Sequence, residues 1–408
     1  MLLAVACQIA ATRLRLPAIV LLLPAGFVVG NWVPALDGSK TLGDAFSPMV
    51  GLAVAVILFD SGLDLEIRQL EGHDQRVVRR LLALGIPITW AMATVLAAEL
   101  LDLSTGAALM LGAIVIVSGP TVVAPLLEAA RPGRRVTHIL GWEGATIDPI
   151  GAVIGALVFA ALVNGVHVGG GEALVAFARS AAVGLAGGAV GTAAMWVVLR
   201  KLRLQGELAT EAIIAVVVGT AALCDAVRDD TGLIAAIVIG VAVANLPGLD
   251  LPEDRRFFRT VVQLVIGVLF ISISASVSFA SVAEVVWRAL ALAVALVLLV
   301  RPLVAAVATV RTSLTWRERA FVGWMHPRGI VAASTAAGFG AALVDVGIDG
   351  ADRLVPITFV VIIATVTIYG LTAAPMARLL GLTESASEEA AEPDRPDEPE
   401  AAPPLRDT

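Results

Sequence analysis

Apolar residues run in long blocks along this chain, and charged or Pro- and Gly-rich breaks separate the blocks. Most blocks are about 17 to 25 residues long, which suits helices that cross a hydrocarbon layer about 30 Å thick. They show no period-two alternation, so a transmembrane barrel is not expected. The pattern predicts an all-α integral membrane protein of about thirteen transmembrane helices. The predicted segments are 1–12, 17–33, 46–64, 79–101, 105–128, 136–163, 173–199, 207–227, 231–247, 257–279, 282–310, 318–344 and 354–381.

The composition favours the same class of protein. Hydrophobic residues make up 58% of the 408 residues and charged residues only 15%, with a mean hydropathy of +0.90. Such a chain is too apolar for a soluble globule of this length. Segment 1–12 extends only about 17 Å as a helix, so either the true start lies upstream or this helix is partial. Cys7 and Cys224 lack the spacing of metal ligands and are expected to be packing residues.

One segment departs from this composition, and it lies at the end of the chain. Residues 382–408 are rich in Glu, Asp, Pro and Ala, lack aromatic residues and hold most of the net charge of -7. They predict a short disordered acidic tail. The remaining residues, 1–381, contain no soluble domain of any size and form the transmembrane part.

Lysine and arginine residues collect in alternate loops between the segments. Cytoplasmic loops of membrane proteins carry an excess of these residues. If the first segment starts outside, the outward loops hold only Lys40, Arg228, Arg288 and Arg353, and nearly all other basic residues lie in inward loops. The alternation predicts a protein of the cell membrane with an outer N-terminus and a cytoplasmic C-terminus.

Two of the apolar segments are interrupted by helix-breaking residues. Ser118-Gly119-Pro120 interrupts the fifth segment and Pro327-Arg328-Gly329 interrupts the twelfth. These positions correspond if two inverted six-helix repeats flank a linking helix. Paired broken helices are typical of a midplane ion site in a secondary transporter. Ordinary kinks without a ligand remain the alternative.

Ionisable residues inside the apolar segments are the second indication of function. A charge at the bilayer centre costs at least about 2.5 to 3.5 kcal/mol, so it is a functional candidate by default. The sixth segment contains Glu143 and Asp148, and the eleventh contains Arg301. At 100° per residue Gly144 and Asp148 share a helix face, and Glu143 lies about 140° from Asp148. Arg301 is the expected counter-ion of one acid, and a purely structural salt bridge remains open for either.

The chemistry of Asp148 suits an exchanger of cations and protons. Its oxygens can bind a hard cation, and removal from water favours the protonated acid, so a proton and a cation compete for one group. Ser118 and Thr121 supply hydroxyl oxygens beside the break, although both residue types also cap broken helices. Arg328 is placed to neutralise the partial negative ends of the broken helix.

Taken together, these pieces resemble the cation/proton antiporter superfamily, most closely its sodium/proton exchanger, NhaP-like branch. The resemblance covers residues 1 to about 381. The pieces that carry it are Leu16-Pro17 with Gly26 to Gly30, Phe59-Asp60-Ser61-Gly62-Leu63, Ser118-Gly119-Pro120, Glu143 to Asp148, Thr231-Gly232-Leu233-Ile234-Ala235, Arg301-Pro302 and Pro327-Arg328-Gly329.

The resemblance implies a core domain with crossed discontinuous helices, about 79–163 and 282–381, and a dimerisation domain built from the remaining helices. It implies a homodimer that works by an elevator-like movement. In the family, the acid matched by Asp148 binds the ion and the hydroxyl matched by Ser118 is a ligand. The residues matched by Glu143, Arg301 and Arg328 support the site or steady the crossover. The expected ligand set of the transported ion is Asp148, Ser118, Glu143 and Thr121.

Three positions depart from the family pattern. Ile147 stands where an Asn usually precedes the ion-binding Asp, Gly119 where an Asp is common, and Gly144 where a Ser is common. The electrogenic branch has a further Asp at the position of Ile147. Its absence favours electroneutral exchange of one proton for one cation.

The function expected from these observations is exchange of protons for a monovalent cation, with Na⁺ first, at a single buried aspartate. No cofactor, no nucleic acid and no enzymatic activity are expected. A K⁺/H⁺ antiporter or a ligand-gated K⁺ efflux protein is the alternative, although no nucleotide-binding domain follows the helices. An intramembrane aspartyl protease using Asp60 and Asp148 is a third class, without a matching motif.

Overall fold

The computed structural model of the protein is helical throughout the part that it describes, where no strand occurs. The described residues are 1–14, 18–33, 43, 46–63, 73–164, 171–202, 204, 206–228, 231–247, 249 and 255–383. The predicted acidic tail, apart from its first two residues, lies outside them.

The α-helices of these residues are α1 (Leu2–Leu14), α2 (Ile19–Trp32), α3 (Phe46–Leu63), α4 (His73–Leu101), α5 (Thr105–Ile114), α6 (Pro120–Ala130), α7 (Arg134–Asn164), α8 (Gly171–Trp196), α9 (Gly206–Val227), α10 (Thr231–Asn245), α11 (Arg255–Ala275), α12 (Phe279–Ala295), α13 (Arg301–Ala308), α14 (Trp316–Trp324), α15 (Ile330–Asp345) and α16 (Leu354–Leu379). Two π-helical turns, Val197–Lys201 and Leu296–Val300, extend α8 and join α12 to α13. The 3₁₀ turn Ala351–Arg353 precedes α16.

Six helical stretches of the described chain are long and apolar enough to cross a membrane, and seven other apolar helices are shorter. The observed helices follow the predicted segments, and the largest boundary difference is at α4. That helix begins at His73 rather than near residue 79. Its first turn carries Asp74, and an acidic side chain stabilises the N-terminal end of a helix. Apolar periodicity cannot detect such a polar extension.

The helices form two groups by their packing. Helices α1–α3 and α8–α11 pack mainly against one another and are called the scaffold group here. Helices α4–α7 and α12–α16 likewise pack mainly against one another and are called the core group. The chain passes between the groups after α3, after α7 and after α11.

Glycines allow very close helix contacts inside the scaffold group. A Cβ atom added to Gly240 of α10 would lie 2.3 Å from the backbone oxygen of Phe59 in α3. One added to Gly62 would lie 2.9 Å from the backbone oxygen of Ile237. Small residues let two backbones approach in this way, which is how helices gain packing energy where lipid removes the hydrophobic driving force.

Polar contacts tie the core group together at both ends of its helices. At one end, Arg135 of α7 binds Asp74 at 2.8 Å and lies 3.8 Å from Glu318 of α14. At the other end, Arg288 of α12 binds Asp102 at 2.6 Å, and Arg353 donates to the carbonyl oxygen of Asp102 at 3.1 Å. The first end is called the basic face here, because further arginines lie beside it, and the second the opposite face. The arginines of the basic face include Arg76, Arg79, Arg80, Arg131, Arg134, Arg311, Arg317, Arg319 and Arg378.

The glycine contact between α3 and α10 predicts a specific loss of stability. Gly240→Ala places a methyl group against backbone atoms, which cannot move away as a flexible side chain would. We expect overpacking to cost about 1 to 3 kcal/mol and to lower the melting temperature of the purified protein. Gly219→Ala in α9 is the matched control, since a Cβ there meets no atom within 4 Å. Equal melting temperatures for the two variants would contradict this account of the packing.

Candidate ion-binding site

The breaks in the two interrupted segments lie against each other. Helix α5 ends at Ile114 and α6 begins at Pro120, while α14 ends at Trp324 and α15 begins at Ile330. The last residues before α6 and α15 are glycines. A Cβ atom added to Gly329 would lie 2.7 Å from both the backbone nitrogen and the Cα atom of Gly119. The two discontinuous segments therefore cross at their breaks, and the N-terminal ends of α6 and α15 meet there.

Arg328 lies inside this crossing. Its side chain is 1% exposed, and its Nη1 donates to the carbonyl oxygen of Ile116 at 3.3 Å. Its backbone N–H donates to the Thr365 hydroxyl at 3.3 Å. A positive charge thus lies beside the free carbonyl groups that follow α5, where the helix dipole is negative. The Nε atom has no hydrogen-bond partner within the described chain.

Glu143 and Arg301 form a buried ion pair. The guanidinium donates to both carboxylate oxygens, at 2.6 and 2.8 Å, and each side chain is only 2% exposed. Arg301 also donates through Nε to the carbonyl oxygen of Val322 at 2.8 Å. The contacts join α7, α13 and α14. Both oxygens of Glu143 are therefore occupied by the arginine in this structure.

The helix that carries Arg301 changes its winding immediately before that residue. Pro302 has no backbone N–H and cannot donate to the carbonyl group of Leu298 as an α-helix requires. The chain forms the π turn Leu296–Val300 just upstream and continues as α13. Single π turns are frequent at functional sites of helices. This local irregularity accompanies the inward placement of the arginine.

Asp148 occupies the face of α7 that packs against the first break. A Cβ atom added to Gly144 would lie 3.3 Å from the backbone oxygen of Ser118, and one added to Gly151 would lie 2.5 Å from Cγ2 of Val117. Asp148 is four residues after the first glycine and three before the second, so the three residues share one face. Its carboxylate is therefore directed toward the region of the break.

The carboxyl group of Asp148 is buried without a compensating partner. The residue is 1% exposed, and its Oδ1 atom makes no hydrogen bond within the described chain. No ion pair of Asp148 occurs among the described residues, in contrast to Glu143. An ionised carboxylate without partners in a dry environment is very unfavourable, so this oxygen needs a proton or a cation.

The remaining predicted site residues occupy different surroundings. Ser118 is 1% exposed and lies in the first break. The side chain of Thr121 lies outside the described part, although its backbone belongs to α6. Ile147 is buried and adds no polar group. Asp60, in α3, is half-buried and already has an interaction partner.

The structure thus brings Asp148 and Ser118 to one break and pairs Glu143 with Arg301 beside it. Thr365 was not among the predicted site residues, and its hydroxyl accepts a hydrogen bond from the backbone N–H of Arg328. The spacing of Thr358, Thr365 and Thr372 at seven residues was the available signal, since it places three hydroxyl groups on one face of α16.

The family model for the transmembrane sodium/hydrogen exchangers matches residues 1–379. The chain belongs to this family. The K(+)/H(+) antiporter NhaP2 of Shewanella oneidensis is 24% identical over 381 residues, which cover 90% of this chain and 63% of the relative. The K(+)/H(+) antiporter NhaP of Alkalimonas amylolytica is also 24% identical, over 93% of this chain and 65% of the relative. The chain spans less than two thirds of the length of these relatives.

Solved structures of the sodium proton antiporter MjNhaP1 from Methanocaldococcus jannaschii share the fold. The structure at pH 8 superposes with a TM-score of 0.74 over 91% of this chain and 97% of the other, at 18% identity. The structure from electron microscopy superposes with a TM-score of 0.75 over 93% and 95% of the two chains, at 19% identity. Together, the findings place the chain in the NhaP-like branch, as the sequence motifs indicated.

Family membership decides several expectations at once. The family is one of multi-pass membrane transporters, and the prediction that the chain does not belong to a family of enzymes is confirmed. The protease alternative with Asp60 and Asp148 is therefore set aside. The curated relatives are named for K⁺ and the solved structures for sodium. These names differ in the cation, so they do not identify the cation for this chain.

The buried pair predicts an asymmetric response to mutation. Glu143→Gln or Arg301→Met alone leaves one buried charge without its partner, so we expect a loss of about 3 to 5 kcal/mol in stability. The double variant removes both charges and is expected to recover most of that loss. Thermal unfolding in detergent measures both effects.

Arg288→Gln is the matched control for this test. It breaks an ion pair whose side chains are 53% and 71% exposed, and such pairs contribute at most about 1 kcal/mol. A double variant that is as unstable as the sum of the two single variants would show that the residues act independently.

Proposed function

We propose that this protein exchanges protons for Na⁺ by alternating access, with both ions using the carboxylate of Asp148 in turn. The observation that supports this most strongly is the buried Oδ1 atom without a hydrogen-bond partner in the described residues. A purely structural aspartate inside a membrane protein would be expected to carry an ion pair or several hydrogen bonds. We therefore infer that the free carboxylate oxygen of Asp148 binds a proton or a cation.

The surrounding charges favour competition rather than joint binding. Arg301 neutralises the negative charge of Glu143, and Arg328 adds one positive charge at the crossing. With Asp148 ionised, these four side chains sum to zero. Either a bound proton or a bound monovalent cation gives the same charge of plus one. A second cation would raise it further in a low-dielectric setting, so we propose exchange of one proton for one cation.

The ligands proposed for the cation are Asp148 and Ser118, with Thr121 and the free carbonyl groups of the break completing the shell. Carboxylate, hydroxyl and carbonyl oxygens are hard donors that suit alkali cations. We assign Glu143 a supporting role, because Arg301 occupies both of its oxygens. The neighbouring Gly119, Gly144 and Ile147 add no side-chain oxygen.

Potassium is the second candidate for the transported cation. The K⁺ antiporters named above are similar to this chain over nearly its whole length, whereas the sodium antiporter structures share its fold at lower identity. Both cations fit an oxygen site of this kind, and the proposal of one shared carboxylate holds for either.

The packing suggests how the site changes sides. We propose that the core group is the moving domain and the scaffold group the dimerisation domain of a homodimer. Contacts at both faces bind the core helices to each other, which is consistent with movement as one body. We further propose that thirteen segments cross the membrane as two inverted repeats of six around a linking helix. The crossing at Gly119 and Gly329 supports the repeat, since equivalent segments meet there.

The distribution of basic residues suggests the orientation. We propose that the basic face is cytoplasmic, which puts the C-terminus inside the cell and the N-terminus outside. Exposed tryptophans support the placement of the two membrane–water boundaries at these faces. Trp316 and Trp196 lie toward the basic face, Trp32 and Trp287 toward the opposite face, and their exposed fractions are 68%, 49%, 76% and 80%.

Asp148→Asn is expected to abolish exchange, because an amide neither ionises nor releases a proton. In everted membrane vesicles with an imposed proton gradient, addition of Na⁺, Li⁺ or K⁺ should dissipate the gradient for the parent and not for this variant. Asp102→Asn, which alters an exposed carboxylate, is the matched control and should retain full activity. Dissipation by the Asp148→Asn variant at the parental rate would refute the proposed site.

Ser118→Ala is expected to weaken cation binding selectively. Loss of one hydroxyl ligand corresponds to about 1 kcal/mol, so the cation KM should rise about fivefold while the maximal exchange rate stays near that of the parent. The control is Ser274→Ala, since that serine is equally buried but donates to Phe270 within its own helix at 2.6 Å. An unchanged KM for Ser118→Ala would remove this residue from the ligand set.

A further inference from the structure

The outer end of α2 contacts both helix groups at the point where the chain passes from one to the other. Gly30 faces the scaffold group, since a Cβ atom there would lie 2.3 Å from Cα of Ala275, the last residue of α11. Phe27 faces the core group, with ring centroids 4.7 Å from Phe279 and 5.1 Å from Phe359. Helix α2 therefore lies across the boundary between the two groups.

Asn31 bridges this boundary with both ends of its amide. Its Nδ2 donates to the carbonyl oxygen of Val277 at 2.9 Å and to that of Phe27 at 2.8 Å. Its Oδ1 accepts from the backbone N–H of Phe279, the first residue of α12, at 3.0 Å. The first N–H groups of a helix lack partners inside the helix, so Asn31 satisfies one of them from another helix.

The connection that Asn31 holds is short. Residues 276–278 alone join α11 to α12, and three residues reach at most about 11 Å when fully extended. The connection is also hydrogen-bonded to the two helices that it joins, since Val277 donates its N–H to the carbonyl oxygen of Ser274 in α11 and the Ser278 hydroxyl accepts from the backbone N–H of Ser281 in α12. The other two connections between the groups, 64–72 and 165–170, are longer and lie outside the described residues.

We propose that Asn31 is a positioning residue that keeps the opposite-face end of α12 fixed to α2 throughout the transport cycle. This inference rests on the proposed function, in which the core group moves against the scaffold group. The contact of Asn31 in α2 with Phe279 in α12 is called the joint here. Because the joint stays fixed, the core group rotates about it, and the displacement of a core residue grows with its distance from the joint. A rotation of about 10° moves a point about 30 Å away, the length of a 20-residue helix, by about 5 Å.

Distances between spin labels test the joint directly. One pair joins Trp32 of α2 to Trp287 of α12, near the joint, and their exposed fractions are 76% and 80%. The second pair joins Leu208 of α9 to Leu379 of α16, toward the basic face, with exposed fractions of 58% and 81%. The labels are attached to cysteines in a Cys7→Ala, Cys224→Ala background. The protein is measured in lipid nanodiscs at low pH without Na⁺ or K⁺ and at high pH with each.

The expected result is one unchanged distance for the pair near the joint and a shift of about 5 Å for the pair near the basic face. Equal shifts of both pairs would overturn the proposal, because the joint would then move with the core. No shift of either pair would overturn it too, because no rotation would occur.

Substitutions at the joint supply the second test. Asn31→Ala should broaden the distance distribution of the pair near the joint and lower the maximal exchange rate by about fivefold, with the cation KM unchanged. Asn31→Asp keeps the acceptor for Phe279 and should recover part of the rate. Ser281→Ala removes only the hydrogen bonds of the Ser281 hydroxyl to Ser278 and keeps the capping bond of its backbone N–H, so this variant should match the parent. A narrow distribution and a parental rate for Asn31→Ala would overturn the role of this residue.

Different results would refute the proposed function and the proposed joint. Absence of cation-dependent exchange in the unlabelled parent would refute the proposed function, whatever the labels show. The label distances are measured without any assay of transport, so they decide the joint in either case.

Discussion

A carboxyl group held away from water without a partner is the constraint on which the rest of the structure depends. Asp148 is 1% exposed, and its Oδ1 atom is not hydrogen-bonded in the described chain. Because an isolated charge is so unfavourable in this environment, the empty ionised state cannot persist while the site is closed to water. The site is therefore stable when a proton or a cation is bound. In the proposed function, that property alone couples the two ions, since neither can cross without replacing the other.

The neighbouring elements maintain this condition. Gly144 lets α7 pack closely against the first break, since a Cβ atom there would lie 3.3 Å from the backbone oxygen of Ser118, and Asp148 lies on the same face of α7. Arg301 binds both carboxylate oxygens of Glu143, so in the proposed site this second acid of α7 is not a ligand of the cation. Arg328 satisfies carbonyl groups that the break exposes and offsets their partial charge. In the proposed mechanism, these groups support Asp148, the proposed ion-binding acid, and do not bind the ion in its place.

Local sequence patterns predicted the helical segments and the two breaks, because apolar block length and helix-breaking residues are visible along the chain. They also selected Asp148, since few ionisable residues are tolerated within apolar segments. The contact of Gly119 with Gly329 was not predictable. Each position must be a glycine because the other segment's backbone packs against it, and the two segments are far apart in the sequence. The hydroxyl partner of Arg328, Thr365, was missed for the same reason. Such partners are set by packing between helices, which a period of 3.6 residues does not describe.

The number of protons released when a cation binds tests the central claim most directly. Titration calorimetry of the purified protein with Na⁺ and with K⁺, in buffers of different ionisation enthalpy, measures this number without any transport. The account predicts close to one proton released per cation bound at a pH where the site is protonated, and no binding to the Asp148→Asn variant. Cation binding without proton release, or binding that persists in that variant, would contradict it.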